Sequence, residues 1–574
     1  MLRPVSTSSL AARRGALRHL VAGSVRAASS LPKKPIPMPP DMPREDYAEP
    51  AAYTVNLIGR TIKYIIYGTL GLGVTAYLGF EGMHAYVERV SLAPPSHALE
   101  GDEYAWADEN QSWTGGAKGG TDPRLGWKGR HALRGAWICW EWGAGDSGGA
   151  ISRHPEFRKG MIGSSVNRVD RGYELADEYI DAAIRVAEQK GIIFPPNLPG
   201  LREPGPAGLK ASQADDTALD LLSLKAGVLE RMGVDTLGHA RELYARVATA
   251  YLGDVGGPVR AARAMRLAHK LGDLAQRAGE PEEAWAWWTW GLERADMALP
   301  AVPKAVKNSK SMSNQSKAWW PFGSSPASPT ATPDPTPAAP ATLAPTLPTP
   351  VLRAAVSILV SASAASAQAG ALPTAAAVQA TALDLLPSVK PSIPGPGQGA
   401  SGLQSLWQAQ RRALLTLHSA SVKHAQGVVG YPLEMSAQSA DESEVVLTIL
   451  NPTLPTALSQ PRQNPCIQPA KRLVRDTLTT GAEAYFTEAA LLERSAAGKE
   501  KSEALHRLEH AAESYERAMT LSAAEEGQTP AAGFGEEDAI GRGDEWTRYW
   551  KGYVRVRDRM LQLIEEGAEP TKHA

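Results

Sequence analysis

Cysteine is nearly absent from this chain: Cys139 and Cys466 are the two in 574 residues. Two thiols cannot staple a disulfide scaffold or fill a Cys-rich zinc array. Neither belongs to a CxxC pair, and the paired CX9C pattern of small intermembrane-space imports is missing, so both read as free thiols. Net charge is almost absent too. The balance of 60 Lys and Arg against 61 Asp and Glu argues against a strongly basic nucleic-acid binder. No HExxH spacing groups the histidines, His131 and His154 stand among Arg and Gly, and no GxxxxGK[ST] run is present to cradle a phosphate. One run does promise chemistry. Gly145-Asp146-Ser147-Gly148-Gly149 matches the sequence around the nucleophile of trypsin-like serine proteases. That chemistry needs a general-base His and an orienting Asp carried by two β-barrels. The stretch before Ser147 is too short for them and the residues after it read as helical, so the run is taken as a glycine loop. No catalytic residue, metal ligand, cofactor or small-molecule substrate is expected, and the chain is read as no enzyme.

The neutral balance averages two unlike parts. Residues 1–40 carry Arg3, Arg13, Arg14, Arg18, Arg26, Lys33 and Lys34 with no acid, and Leu10, Leu17, Leu20 and Val21 can share one helical stripe. This is the composition of a mitochondrial presequence, with cleavage expected near Ala27–Ser30; a basic tail without structure is the plainer alternative. Without those seven cations, 53 basic residues face 61 acidic ones, and the remainder is acidic.

Residues 41–60 form a matrix-side segment in this reading, and 61–82 a transmembrane helix. Tyr64–Phe80 is uncharged, about 20 residues at about 1.5 Å each cross a hydrocarbon core of about 30 Å, and Lys63 can snorkel. Tyr64, Tyr67 and Tyr77 suit an interfacial belt, where a buried core helix would not need them. Cations on the N-terminal flank (Lys33, Lys34, Arg44, Arg60, Lys63) outnumber the single Arg89 after the span, which places the N-terminus in the matrix and the rest in the intermembrane space. Gly71, Thr75 and Gly79 share one face, where a second helix could pack closely.

Residues 90–160 are rich in Trp and Gly and show no sustained period, so an irregular segment is expected. Helical spacing runs through 164–300, with breaks at Gly191, Gly233 and Gly279. Within it, Leu271-Gly272, Ala275, Gly279, Ala284, Trp288 and Gly291 occupy the offsets of a tetratricopeptide repeat; Gly233, Ala240 and Tyr244 fit more loosely. Small residues let paired helices approach and the aromatic fills the gap between repeats. Residues 308–400 hold nine prolines between Pro326 and Pro350 and are expected to be disordered, with Val351–Ala369 at most a transient helix because of its Ala/Ser bulk and Arg353. Helical repeats are expected again over 403–566, where Ala511, Tyr515 and Ala518 match the second-helix offsets and Trp546–Glu565 would cap the array. The fold class is therefore all-α, tetratricopeptide-like hairpins after one N-terminal span. Trp285, Trp287, Trp288 and Trp290 either fill the core between repeats or leave one face exposed for a partner.

Presequence, span and repeat array together resemble the tetratricopeptide-repeat adaptor subunit of the fungal mitochondrial i-AAA protease complex. The resemblance implies an inner-membrane protein beside an AAA+ metalloprotease that helps deliver unfolded clients, with proteins and the membrane as partners and no nucleic acid. It also implies that the first helix of each repeat lines a concave partner-binding face. Carried onto this chain, that face comprises Arg266, His269, Asp273, Gln276 and Arg277, with Asp220, Ser223, Glu230 and Arg231 from the looser unit. A respiratory-complex assembly factor or scaffold is the alternative.

Overall fold

The computed structural model describes residues 48–93, 104–116, 119–142, 171–198, 205–253, 256–299, 347–387, 399–428, 430–458, 465–527 and 536–568. The expected presequence, the Gly145–Gly149 run and the prolines from 326 to 345 lie outside the described residues. Fourteen α-helices and no strand occur among them, so the chain is all-α.

Two compact units are present, residues 1–79 and residues 80–574. The first contributes most of α1 (Ala48–Tyr86), 39 residues without a break. Its apolar side chains from Tyr53 to Leu78 are 49–76% exposed. The Thr54, Thr61 and Thr75 hydroxyls donate to the carbonyls of Pro50, Leu57 and Gly71 at 2.8–2.9 Å, so the helix satisfies these polar groups itself. A Cβ added at Gly71 or Gly79 would meet nothing within 4 Å, which leaves the small-residue face open among the described residues.

The second unit begins with the last turn of α1 and a π-helical turn, Val87–Ser91. It continues through α2 (Gly126–Trp142), α3 (Arg171–Gln189), α4 (Asp216–Met232), α5 (Leu237–Thr249), α6 (Pro258–Arg277) and α7 (Pro281–Glu293). Next come α8 (Thr349–Gln368), α9 (Leu372–Asp384), α10 (Gly399–Ala425), α11 (Tyr431–Leu458), α12 (Ile467–Ser495), α13 (Lys501–Gly527) and α14 (Glu536–Ala568). From α2 onward successive helices pack on one another wherever they are close in sequence, and α6 packs α8, α10 packs α12 and α12 packs α14 across one intervening helix. That nearest-neighbour pattern is the architecture of a helical repeat array.

The residues of the repeat signature carry this packing. A Cβ on Gly272 would overlap the indole of Trp288, which is 1% exposed. One on Gly291 would stand 2.8 Å from both Ala268 Cβ and Ile358 Cδ1. Trp287 and Trp290 are buried at 0% and 6% in the neighbouring cluster with Tyr244 and Leu271, so the tryptophan helix is core and offers no exposed aromatic face.

Two expectations need correction at the level of the fold. Residues 126–142, expected to be irregular, form α2. Glycine weakens an isolated helix, but Gly129 seats Val186 Cγ1, 3.2 Å from where a Cβ would be, and Gly135 seats the Tyr179 ring at 3.4 Å. Within the segment expected to be disordered, 349–384 folds as the α8–α9 hairpin. Val351, Ala354, Ala355, Ile358, Leu359 and Ala362 recur at helical spacing and are at most 4% exposed, because alanines and serines bring α8 close to α6 and α9. Helix α8 has the length and apolarity for a membrane crossing, yet 72% of its apolar window is buried, as befits a core helix. Helix α11 carries little apolar signal, since serine disguises its inner face: Ser436, Ser439 and Ser443 are fully buried and Gly481 of α12 lies against Ser443.

Gly272→Ala is expected to lower stability by about 1–3 kcal/mol through overpacking against Trp288. Chemical denaturation of the variant measures it, and Trp288→Leu in the same background should recover part of the loss.

Candidate functional site

The first helix of the best repeat, α6, is expected from the sequence to present a free concave face. Its stripe divides in two. Arg266 and His269 point into the molecule, where the Arg266 guanidinium donates to the Asp108 carbonyl at 3.0 Å and His269 Nε2 lies 2.9 Å from Ser361 Oγ of α8. Burial lowers the pKa of both. The α8–α9 hairpin explains this placement, since α8 takes the position of the next first helix and turns that part of the face into a seam.

The other half stays at the surface as ion pairs. Glu230 of α4 meets Lys270 at 2.9 Å and Arg277 at 3.5 Å, and Asp273 lies 3.4 Å from His269. Gln276 is partly buried, with its Oε1 lacking a partner among the described residues. Arg231 turns away, its guanidinium 4.8 Å from the centre of the Trp140 ring. Ser223 bonds back to the Leu219 carbonyl, and Asp220 accepts from Ser112 Oγ at 2.6 Å. The structure thus brings Glu230 and Arg277 together and leaves Arg231 and Arg266 in separate settings.

The inner groove is filled by the chain itself. Residues 104–110, passing through a 3-10 turn at Trp106–Glu109, lie across α6, α8, α10 and α12. Trp106, 1% exposed, belongs to the cluster of Met265, Ile358, Leu406 and Trp407, and its indole N–H donates to the Ala400 carbonyl at 3.0 Å. Four arginines hold the turn. Arg263 pairs with Asp108 at 2.7 Å, Arg266 takes the Asp108 carbonyl, and Arg472 donates to the Glu109 carbonyl at 3.1 Å. The fourth, Arg353, is 3% exposed; it pairs with Glu109, donates to Gln404 Oε1 at 2.8 Å and to the Tyr104 carbonyl, and stacks 3.8 Å from the Trp106 ring centre. Sequence reasoning missed this clamp because its partners lie up to 363 positions apart. A Trp followed by two acids is too common a signal to find it.

A second polar cluster surrounds the end of α1. Glu88 in the π-helical turn receives Arg130 at 2.7 Å, the Thr121 hydroxyl at 2.8 Å and the Thr121 N–H at 3.0 Å. Burial opposes its charge, but these donors hold its carboxyl below the ordinary value. His131, isolated in sequence, lies against the His84 ring at 4.5 Å, tilted by 37°, and reaches Glu81 at 3.3 Å. His84 is buried, and desolvation with the nearby His131 and Arg134 pushes it down to about 4. Among the described residues no group of His, Cys, Asp and Glu could hold a metal ion. Neither Cys139, which is buried, nor Cys466, which is part-buried, forms a disulfide among the described residues, and burial pushes the Cys139 thiol up. Two open clefts, of about 500 Å³ beside Pro258 and Asp296 and about 610 Å³ beside Lys551 and Arg555, have no Ser, Cys or His among the described residues that line them.

No family model matches the chain, and no curated protein matches it. Among solved structures it is similar to a circular tandem repeat protein with novel repeat topology, at 11% identity over 76% of this chain and 85% of that one, with a TM-score of 0.20. It is also similar to a human IFIT1 dimer with PPP-AAAA, at 10% identity over 83% and 99% of the two chains and a TM-score of 0.20. Likenesses of this size carry no argument.

Two outcomes are expected. Arg353→Met strands the Glu109 carboxylate, and breaking a buried pair in this way removes about 3–5 kcal/mol; in a double-mutant cycle Glu109→Gln should recover part of it, which thermal denaturation reads. For Asp220, burial outweighs the Ser112 hydrogen bond and raises the pKa from 3.8 to about 6. The folded state then binds the proton more tightly than the unfolded one, so its contribution is present below about pH 4 and is lost as pH rises through about 6. Asp220→Asn should flatten stability across that window and raise it at pH 7 by roughly 1–3 kcal/mol, measured by urea denaturation at several pH values.

Proposed function

We propose that the chain is a membrane-anchored helical-repeat adaptor of the mitochondrial inner membrane, facing the intermembrane space, that presents proteins or unfolded segments to an AAA+ protease. The observation that carries the reading is α1. A 39-residue helix holds fourteen apolar side chains between Tyr53 and Leu78 that are half to three-quarters exposed, and it leads into a repeat array. A helix with such a surface needs an apolar surrounding, and its threonines close their own hydrogen bonds. Glycine and tyrosine dilute its mean hydropathy, so that among the described residues α8 is the one helix long and apolar enough by composition alone to cross a membrane. Its lack of side-chain cover is what distinguishes α1 from α8.

Orientation is inferred from the flanking cations, and import from the basic first 40 residues. The role is one of binding, because a repeat array offers surface. With the inner groove filled, partner contact falls to the open end of α6, at Asp273, Gln276 and Arg277, with Glu230 of α4.

Pull-down of the full chain in mild detergent, followed by mass spectrometry, tests the reading. Recovery of an AAA+ protease supports it, and recovery of respiratory subunits instead would make the chain an assembly factor. Deleting residues 61–82 should release the protein from carbonate-washed membranes. Reversing Asp273→Lys and Arg277→Glu together should weaken partner capture roughly tenfold, about 1.4 kcal/mol; unchanged capture would remove this end of α6 from the interface.

A further inference from the structure

The last helix of a repeat array ordinarily turns a polar face to solvent, and α14 does not. Its inner face runs through Tyr549, Gly552 and Val556, all buried, and a Cβ on Gly552 would overlap the Tyr515 ring of α13. A second apolar row lies about 120° round the helix from the first and is about 27 Å long. Trp546, Trp550, Leu561 and Ile564 in this row are 39–56% exposed; with Val554 and Arg557 they follow one another at steps of three and four residues. The Trp546 and Trp550 rings stack at 5.8 Å and Trp550 stacks on Tyr553 at 5.7 Å, so the start of the row is a flat aromatic surface. Arg557, the one charge in the row, lays its guanidinium over the Tyr553 ring at 6.0 Å. Exposed apolar surface of this kind on a soluble face marks a site of association.

The flank of the row says what fits it. Arg548 and Arg555 on the inner side pair with Glu483 and Glu493 of α12, whereas Lys551 and Asp558 are exposed and have no ion-pair partner among the described residues. Both line the cleft of about 610 Å³ together with Trp550 and Val554. Two opposite charges about two turns apart on one flank complement themselves when a second copy of the helix runs the other way. With Trp546 set opposite Ile564 of the second copy, Trp550 meets Leu561, Val554 meets Val554, and Lys551 meets Asp558 twice over by the two-fold symmetry of an isologous contact. A parallel pair sets Lys551 on Lys551 and Asp558 on Asp558, so charge selects the antiparallel sense.

We propose that α14 is a self-association surface, through which two copies of this chain pair their last helices antiparallel along the row from Trp546 to Ile564, with Lys551 and Asp558 bridging across the two-fold axis. Array and outer row then make one continuous packed structure, and the helix that ends the array in one copy is capped by its counterpart in the other.

The test uses the full chain in mild detergent. Sedimentation equilibrium over micromolar concentrations is expected to give a dimer, and Trp550→Glu with Leu561→Glu a monomer; both side chains are exposed, so the fold is retained, which circular dichroism checks. Lys551→Glu and Asp558→Lys are each expected to weaken the dimer roughly tenfold, and the two together to restore it. Single cysteines in a Cys139→Ala, Cys466→Ala background read the geometry. Oxidation should crosslink Val554→Cys to its own counterpart and spare Leu561→Cys, which this register shifts about 18 Å along the axis from its counterpart. A monomeric wild-type chain overturns the pairing and leaves the row to a helix of another protein. A dimer that survives Trp550→Glu with Leu561→Glu overturns it too, since such a dimer is held elsewhere. Equal crosslinking at 554 and 561, or no recovery in the charge-swapped variant, overturns the antiparallel arrangement.

Discussion

The inner side of the array depends on one buried guanidinium. Arg353 sits almost fully buried among apolar neighbours, where an unpaired charge would be expensive enough to prevent folding. Its donors reach a carboxylate from Glu109, an amide oxygen from Gln404 and the Tyr104 carbonyl, and its flat face lies on Trp106. These four partners come from two separate stretches, the 104–110 segment and α10, and Arg353 itself from a third, α8. None of them can leave without stranding the others. A repeat array held only by nearest-neighbour contacts can fray one hairpin at a time; the clamp ties residues some 250 positions apart, so the middle of this array opens together or not at all.

The same constraint explains why the expected binding face is not free. Repeat signatures specify how two helices of one hairpin meet, and that much is legible: Gly272 against Trp288 is the contact the residue types require. They do not specify what lies on the far side of the first helix. Assigning Arg266 and His269 to a concave surface requires knowing the next helix, and composition alone makes α8 no more than a transient one. Proline density governs disorder only over the stretch it occupies, and the low-complexity look of 349–384 comes from alanine and serine, which are also the residues that let helices touch. The stripe from Val351 to Ala362 is visible in the letters; the segment average obscures it.

Sequence reading does best where a local rule has a local cause. Helix ends at Gly191, Gly233 and Gly279 coincide with positive φ at each of those glycines, a conformation that costs other residues more. It does worst where small residues substitute tertiary contact for propensity, as in α2 and α11, and where polar partners meet from afar. His84 and His131 are 47 positions apart and their rings touch; Ser112 and Asp220 are 108 apart and share a hydrogen bond. No spacing rule reaches such pairs, because the chain between them is folded by interactions unrelated to either.

A polar network orders the first turns of the repeat unit. Here the last turn of α1, from Phe80, runs without a linker into the π-helical turn, a geometry that recurs where helices carry function. Glu88 within that turn is held by Thr121, Arg130 and Arg134 together. Three residues on one part-buried carboxylate fix its rotamer, and with it the crossing of α2 over the last turn from Phe80. The packing of Val87 and Leu92 into the cluster of Leu125, Leu133 and Ile180 continues that order into α3. The order around Glu88 thus comes from a charge network backed by apolar packing within the repeat unit.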